Sequence, residues 1–164
     1  MGILNRIVLS TAPWMPKVVI GRIASVYVAG DKLEDGINLV RKLNKKGFVG
    51  TLDLLGEEVK NRRGITKTTN SYCDLIDGIA NSGVDCNISL KLTAIGLKVD
   101  ESLCWDNLSV ILDKAKMYNT FVRMDMEDSE VTESTIKMCK KAVNYYPNCG
   151  TVLQAYMYLS LIHI

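Results

Sequence analysis

The sequence predicts an α/β fold: a parallel (βα) barrel present as about half a barrel, four βα units preceded by N-terminal helices. Three observations carry this expectation. Four short apolar, β-branched runs alternate with segments of helical period, the pattern that right-handed crossovers in a parallel sheet produce. Each run is apolar on one face and polar on the other, as in a sheet that takes helices outside and faces a polar interior. The chain has 164 residues, whereas a closed eight-stranded barrel takes roughly 200 or more and typically about 250.

The first helix is expected over 31–47, where Leu33, Ile37, Val40 and Leu43 recur at helical spacing. Asp31 and Glu34 resemble a capping box, and Gly47 provides a stop. GFVGTLDLLGE at 47–57 then reads as a buried strand ending at Gly56, because apolar and β-branched residues run together between glycines. The basic run KNRRG at 60–64 reads as a solvated loop. A helix over 66–80, marked by Tyr72, Leu75, Ile76 and Ile79, leads to the strand NISLKLT at 87–93. Leu103, Leu108, Ile111, Leu112 and Ala115 mark a helix before the strand FVRMDME at 121–127. A last helix over 131–143 precedes the strand GTVLQAYM at 150–157. Trp14, Trp105 and the methionines read as helix packing against a sheet.

Alternation assigns the polar residues to shared faces. Thr51 and Asp53 oppose Leu52 and Leu54, and Ser89, Lys91 and Thr93 oppose Ile88, Leu90 and Leu92. Arg123, Asp125 and Glu127 oppose Val122, Met124 and Met126, and Gln154 and Tyr156 oppose Leu153, Ala155 and Met157. Asp53, Lys91, Asp125 and Gln154 fall toward the carboxyl ends of their strands, where barrels of this kind assemble their sites. If consecutive strands pair side by side, Lys91 stands between Asp53 and Asp125. A buried cation flanked by two anions is the arrangement that survives, since a lone buried charge costs several kcal/mol. Glu127 and Asp128 either join that cavity or cap the following helix.

Composition narrows the class. The net charge of +2, with basic and acidic residues interleaved, gives no nucleic-acid surface. No GxGxxG fingerprint follows a strand. The cysteines at 73, 86, 104, 139 and 149 are odd in number and lack CxxC spacing, so free thiols and a cytoplasmic protein are expected. No uninterrupted apolar run reaches the ~18 residues of a membrane span. The domains are expected as an N-terminal helical segment over 1–30, a partial barrel over 31–158, and a tail over 159–164.

The stretches VAGDKLEDGINLVRKLNKKG, TLDLLGE, ISLKLTAIGL, VRMDMEDS and VLQAYMY, in this order and spacing, give the chain a resemblance to proline dehydrogenase over about 22–158. It is more similar to the bacterial stand-alone enzymes than to the large bifunctional proline-utilisation proteins. The resemblance implies a barrel of the TIM type, bound FAD, and oxidation of L-proline to Δ1-pyrroline-5-carboxylate by hydride transfer to flavin N5. It implies that Asp125 and Gln154 line the flavin, with Gln154 hydrogen-bonded to the isoalloxazine edge. Lys91 matches a lysine near the substrate carboxylate, with Asp125 as its ionic neighbour. Asp53 matches an active-site carboxylate, and Glu57 an acid that pairs with a substrate-binding arginine. A quinone electron acceptor, and a cytoplasmic protein peripheral to the inner face of the membrane, are implied on the same ground.

The family pattern continues with a late helix whose arginine pair grips the proline carboxylate, which this sequence lacks. LSLIHI at 159–164 departs from the family and is expected to be a truncated or non-native tail. The expectation is therefore an N-terminal half of the catalytic barrel, inactive alone and self-associating through open sheet edges. Two other readings stand beside it: a half-barrel binding module without catalysis, and a barrel enzyme holding Mg²⁺ on Asp53, Asp125 and Glu127. An ammonium at Lys91 would compete with that metal.

Overall fold

A computed structural model describes residues 28–30, 32–56, 59–155 and 157. The segment expected over 1–30 and the tail over 159–164 lie almost wholly outside these residues. Within them four parallel strands alternate with helices: α1 (Leu33–Asn44), β1 (Gly50–Asp53), α2 (Arg62–Ser82), β2 (Cys86–Leu90), α3 (Glu101–Met117), β3 (Val122–Met124), α4 (Thr132–Val143) and β4 (Cys149–Thr151). Short 3-10 turns, Leu92–Ile95 and Ser129–Val131, follow β2 and precede α4.

The sheet runs in chain order, β1-β2-β3-β4, and the alternation expected from sequence explains why. Ile88, Leu90, Val122 and Met124 are fully buried, on the face that α2 and α3 cover. Burying each such side chain contributes about 1.5–3 kcal/mol. α2 turns Ile65, Thr69, Tyr72, Leu75, Ile76 and Ile79 toward the sheet, a stripe at helical spacing. It ends at Gly83, whose φ of +64° is a left-handed cap that glycine adopts without cost. Gly78 lets α1 approach closely, because a Cβ there would meet Leu33 Cδ2 at 2.6 Å.

The registers set the site. Thr51 pairs with Asn87 and Asp53 with Ser89, and Ser89 pairs in turn with Arg123. The ladder reaches one residue past β3, since Asp125 N–H donates to Leu90 C=O at 2.8 Å. That bond seats Asp125 beside Lys91.

Several boundaries differ from expectation. β1 stops at Asp53 instead of Gly56 and among the described residues is an outer strand beside β2; Phe48, Val49 and Leu55, which flank it, are 60%, 58% and 80% exposed, not buried. β2 ends at Leu90 because the chain tightens into the turn Leu92–Ile95 and reverses at Gly96, φ +116°. β3 and β4 are likewise cut to Val122–Met124 and Cys149–Thr151. The KNRRG run is solvated but is a loop only at Lys60 and Asn61, because Asn61 accepts from Gly64 N–H at 2.7 Å and starts α2 at Arg62. At α1 the acid that reaches back is Asp35, which accepts from Lys32 N–H at 3.4 Å, and not Glu34.

Candidate active site

Lys91 leaves the end of β2 with extended backbone, φ −102° and ψ 123°, so the strand's alternation continues and its side chain shares a face with Ser89. Its Nζ lies 2.6 Å from Asp53 Oδ2 and 3.4 Å from Asp125 Oδ2. The lysine side chain is 17% exposed and each carboxylate 27%. Burial alone would lower the lysine pKa, but the hydrogen bond to Asp53 and the charges of Asp53 and Asp125 outweigh it. The ammonium therefore titrates above its ordinary value and stays charged at neutral pH. The expected bridge between neighbouring strands is present, built from the last residues of β1 and those just past β2 and β3.

Each carboxylate near Lys91 also accepts from a hydroxyl. Tyr72 OH donates to Asp53 Oδ1 at 3.1 Å, and Ser89 Oγ donates to Asp125 Oδ1. Glu127 accepts from Thr93 at both oxygens, from the backbone N–H at 3.1 Å and from the hydroxyl. The acidic residue 127 thus braces the turn after β2, and the helix-cap alternative does not hold for it. Burial foremost, then the adjacent Asp53 charge, push the Tyr72 phenol far above its ordinary pKa, so it remains a neutral donor.

Beside this cluster a pocket of about 300 Å³ opens, lined by Lys91, Asp125, Met126, Glu127, Asp128, Val152 and Gln154. Gln154 enters from the segment after β4, so the four residues expected at the strand ends converge, three by direct contact and Gln154 across the pocket. Glu57 and Tyr156 lie outside the described residues. Lys98 joins the rim through Asp128 at 3.1 Å. The Lys91 ammonium stands between Asp53 and Asp125, in the place that a metal ion shared by Asp53, Asp125 and Glu127 would need. Among the described residues no group of three His, Cys, Asp or Glu is arranged to hold a metal ion.

Sequence reading missed Tyr72 as part of the site, since it looks like one more member of an apolar stripe. The signal that could have found it is chemical: a fully buried tyrosine hydroxyl takes a polar partner. Ser89 and Thr93 were assigned to the right face, but their partners depend on the register.

Fold and site together define a parallel βα-barrel protein with a charged pocket at the carboxyl ends of its strands. A family model described as proline dehydrogenase matches residues 37–163, and the chain belongs to that family. It is 36% identical over 132 residues to proline dehydrogenase 1 of Bacillus subtilis subsp. natto, covering 80% of this chain and 44% of that protein. It is 32% identical over 157 residues to proline dehydrogenase 2 of Bacillus subtilis (strain 168), covering 96% of this chain and 50% of that one. The chain spans about half the length of the curated relatives it matches. Among solved structures, proline utilization A from Bdellovibrio bacteriovorus, inactivated by N-propargylglycine, superposes with a TM-score of 0.82 at 20% identity, over 89% of this chain and 18% of that one. That likeness supports the expected TIM-type barrel, of which the described residues form one part.

Proposed function

We propose that this chain supplies the first four βα units of a flavin-dependent barrel that oxidises L-proline to Δ1-pyrroline-5-carboxylate. The observation that carries the reading is Lys91 held between Asp53 and Asp125 at the mouth of the pocket, in a chain of the proline dehydrogenase family. L-Proline brings a carboxylate and a ring nitrogen. Lys91 offers a fixed cation to the first, and Asp125 and Glu127 give the second an anionic wall.

The lining also suits one part of FAD. Gln154 carries an amide that can both donate and accept along a heterocyclic edge, while Met126 and Val152 present apolar surface to a ring face. FAD, when bound, would supply the acceptor for the hydride leaving the substrate carbon, with the protein contributing orientation and charge. By family, the reading extends to a quinone as final electron acceptor and to a cytoplasmic protein that meets the membrane surface.

The test is dye-coupled oxidation of L-proline by the chain loaded with FAD, alone and co-expressed with the part of a Bacillus relative that it does not span. Proline-dependent dye reduction in either preparation supports the reading. FAD that binds but is not bleached by proline in both overturns it.

A half-barrel association module is the second reading, favoured by the exposed Phe48, Val49 and Leu55 along the outer strand β1. A discrete oligomer in sedimentation, with no flavin binding, would establish it in place of the first.

A further inference from the structure

We propose that Tyr72 is a positioning residue: its phenol holds Asp53 so that the second carboxylate oxygen faces Lys91, and thereby fixes where the lysine ammonium stands beside the pocket. The proposal deepens the reading above and rests on the pocket being the substrate site. Tyr72 lies on α2, outside the barrel wall and fully buried, so it is unavailable to substrate. Its one polar atom nevertheless reaches the carboxyl end of β1, where OH donates to Asp53 Oδ1 at 3.1 Å while Asp53 Oδ2 stands 2.6 Å from Lys91 Nζ. The two oxygens of a single carboxylate therefore join a helix to a catalytic-face cation.

The geometry explains why a hydroxyl is needed there. Asp53 is the last residue of β1, which among the described residues has a neighbour on one side, and its side chain could take several staggered χ1 positions and turn broadly about χ2. Asp125 is pinned by its own backbone bond to Leu90 C=O and by Ser89. Among the described residues Asp53 has Tyr72 and Lys91 as its side-chain partners. With the phenol removed, the flexible lysine would be the one side-chain partner left to Asp53 among the described residues. The shorter of the two Lys91 contacts is the one to Asp53, so loosening Asp53 moves the ammonium toward Asp125.

The charged and titratable groups around Lys91 are Asp53 from β1, Asp125 from beyond β3, and Glu127 and Asp128 on the same pocket wall, with Tyr72 behind Asp53. The stronger hold of this frame on the ammonium than on the neutral amine gives a direct readout that needs no turnover. The experiment titrates Lys91 in ¹³C-lysine-labelled protein by NMR, with the signal assigned through Lys91→Arg, in the parent, Tyr72→Phe, Asp53→Asn and the double variant.

The expected result is a downward shift of the Lys91 midpoint in Tyr72→Phe, and no further shift when Tyr72→Phe is added to Asp53→Asn. An unchanged midpoint in folded Tyr72→Phe overturns the proposal, and so does an equal shift in the Asp53→Asn background. Tyr72→Phe keeps the ring volume, and should it fail to fold, Asp53→Asn serves in its place. The Tyr72 hydroxyl proton, observed at low temperature in the parent, must then move upfield in that variant, and an unmoved proton rejects the contact. Proline oxidation measured beside these titrations reports on the proposed function alone, so the two ideas fail separately.

Discussion

Glu127 receives both the backbone N–H and the hydroxyl of Thr93, at 3.1 Å for the N–H, so the segment after β3 and the turn after β2 behave as one unit. Thr93 is nearly fully buried. Glu127→Ala is expected to cost about 1–3 kcal/mol of stability through the loss of these two hydrogen bonds to a carboxylate. Urea unfolding of Glu127→Ala, Thr93→Val and the double variant measures it. The two losses must be far from additive, since either change removes the same hydroxyl contact.

Lys91→Met removes the charge that Asp53 and Asp125 share. A charge-assisted hydrogen bond contributes about 1.5–3 kcal/mol. The kcat/KM for proline is accordingly expected to fall roughly ten- to a hundredfold, on the scale of 1.36 kcal/mol per decade. An unchanged kcat/KM would remove Lys91 from the substrate's surroundings.

The buried thiols predict loss of stability in alkali. Burial foremost pushes Cys104 from 9.0 up to about 12, and Cys86 and Cys149 from 9.0 to about 11. A raised folded-state value means that the stabilising contribution is complete below pH 9. It is lost as the unfolded chain releases protons that the folded chain keeps, between pH 9 and about 12 for Cys104. Each thiol adds at most about 1.36 kcal/mol per pH unit to the slope. Cys104→Ala should flatten the fall of the urea midpoint in that window by one such increment, and an unchanged slope would refute it.

Gly78→Ala tests the approach of α1 to α2. The added Cβ would meet Leu33 Cδ2 at 2.6 Å and Ile37 Cδ1 at 3.3 Å, ends of flexible side chains. The overpacking cost is therefore expected toward the low end of about 1–3 kcal/mol, against a helix-propensity gain of about 1 kcal/mol. A thermal melt that rises in this variant would show that α1 yields easily.

The cluster of Lys91, Asp53 and Asp125 was legible in the sequence because parity along a strand is insensitive to where the strand ends. Lys91 lies one residue past β2, yet extended backbone keeps it on the face of Ser89. The lengths of β2 and β3 were not legible. What ends β2 is the turn Leu92–Ile95, braced by Glu127 from another segment, a contact far away in the chain. Tyr72 was hidden for a similar reason, since its helical neighbours give no sign of the carboxylate at the end of β1. Phe48 and Val49 misled because β-branched and aromatic residues signal a strand without saying whether it has a neighbour on both sides.

The consecutive strand order has a consequence for how the chain is made. Each strand after the first pairs with the one synthesised just before it, so every new βα unit meets a surface that already exists and closes a loop of one unit only, the shortest closure a parallel pairing allows. The charges appear in the same order. Asp53 emerges first, Lys91 arrives to pair with it, and Asp125 follows to take the cation's other side. Growth of the nascent chain thus alternates anion, cation and anion, and each newly docked strand covers the charge that its predecessor left exposed.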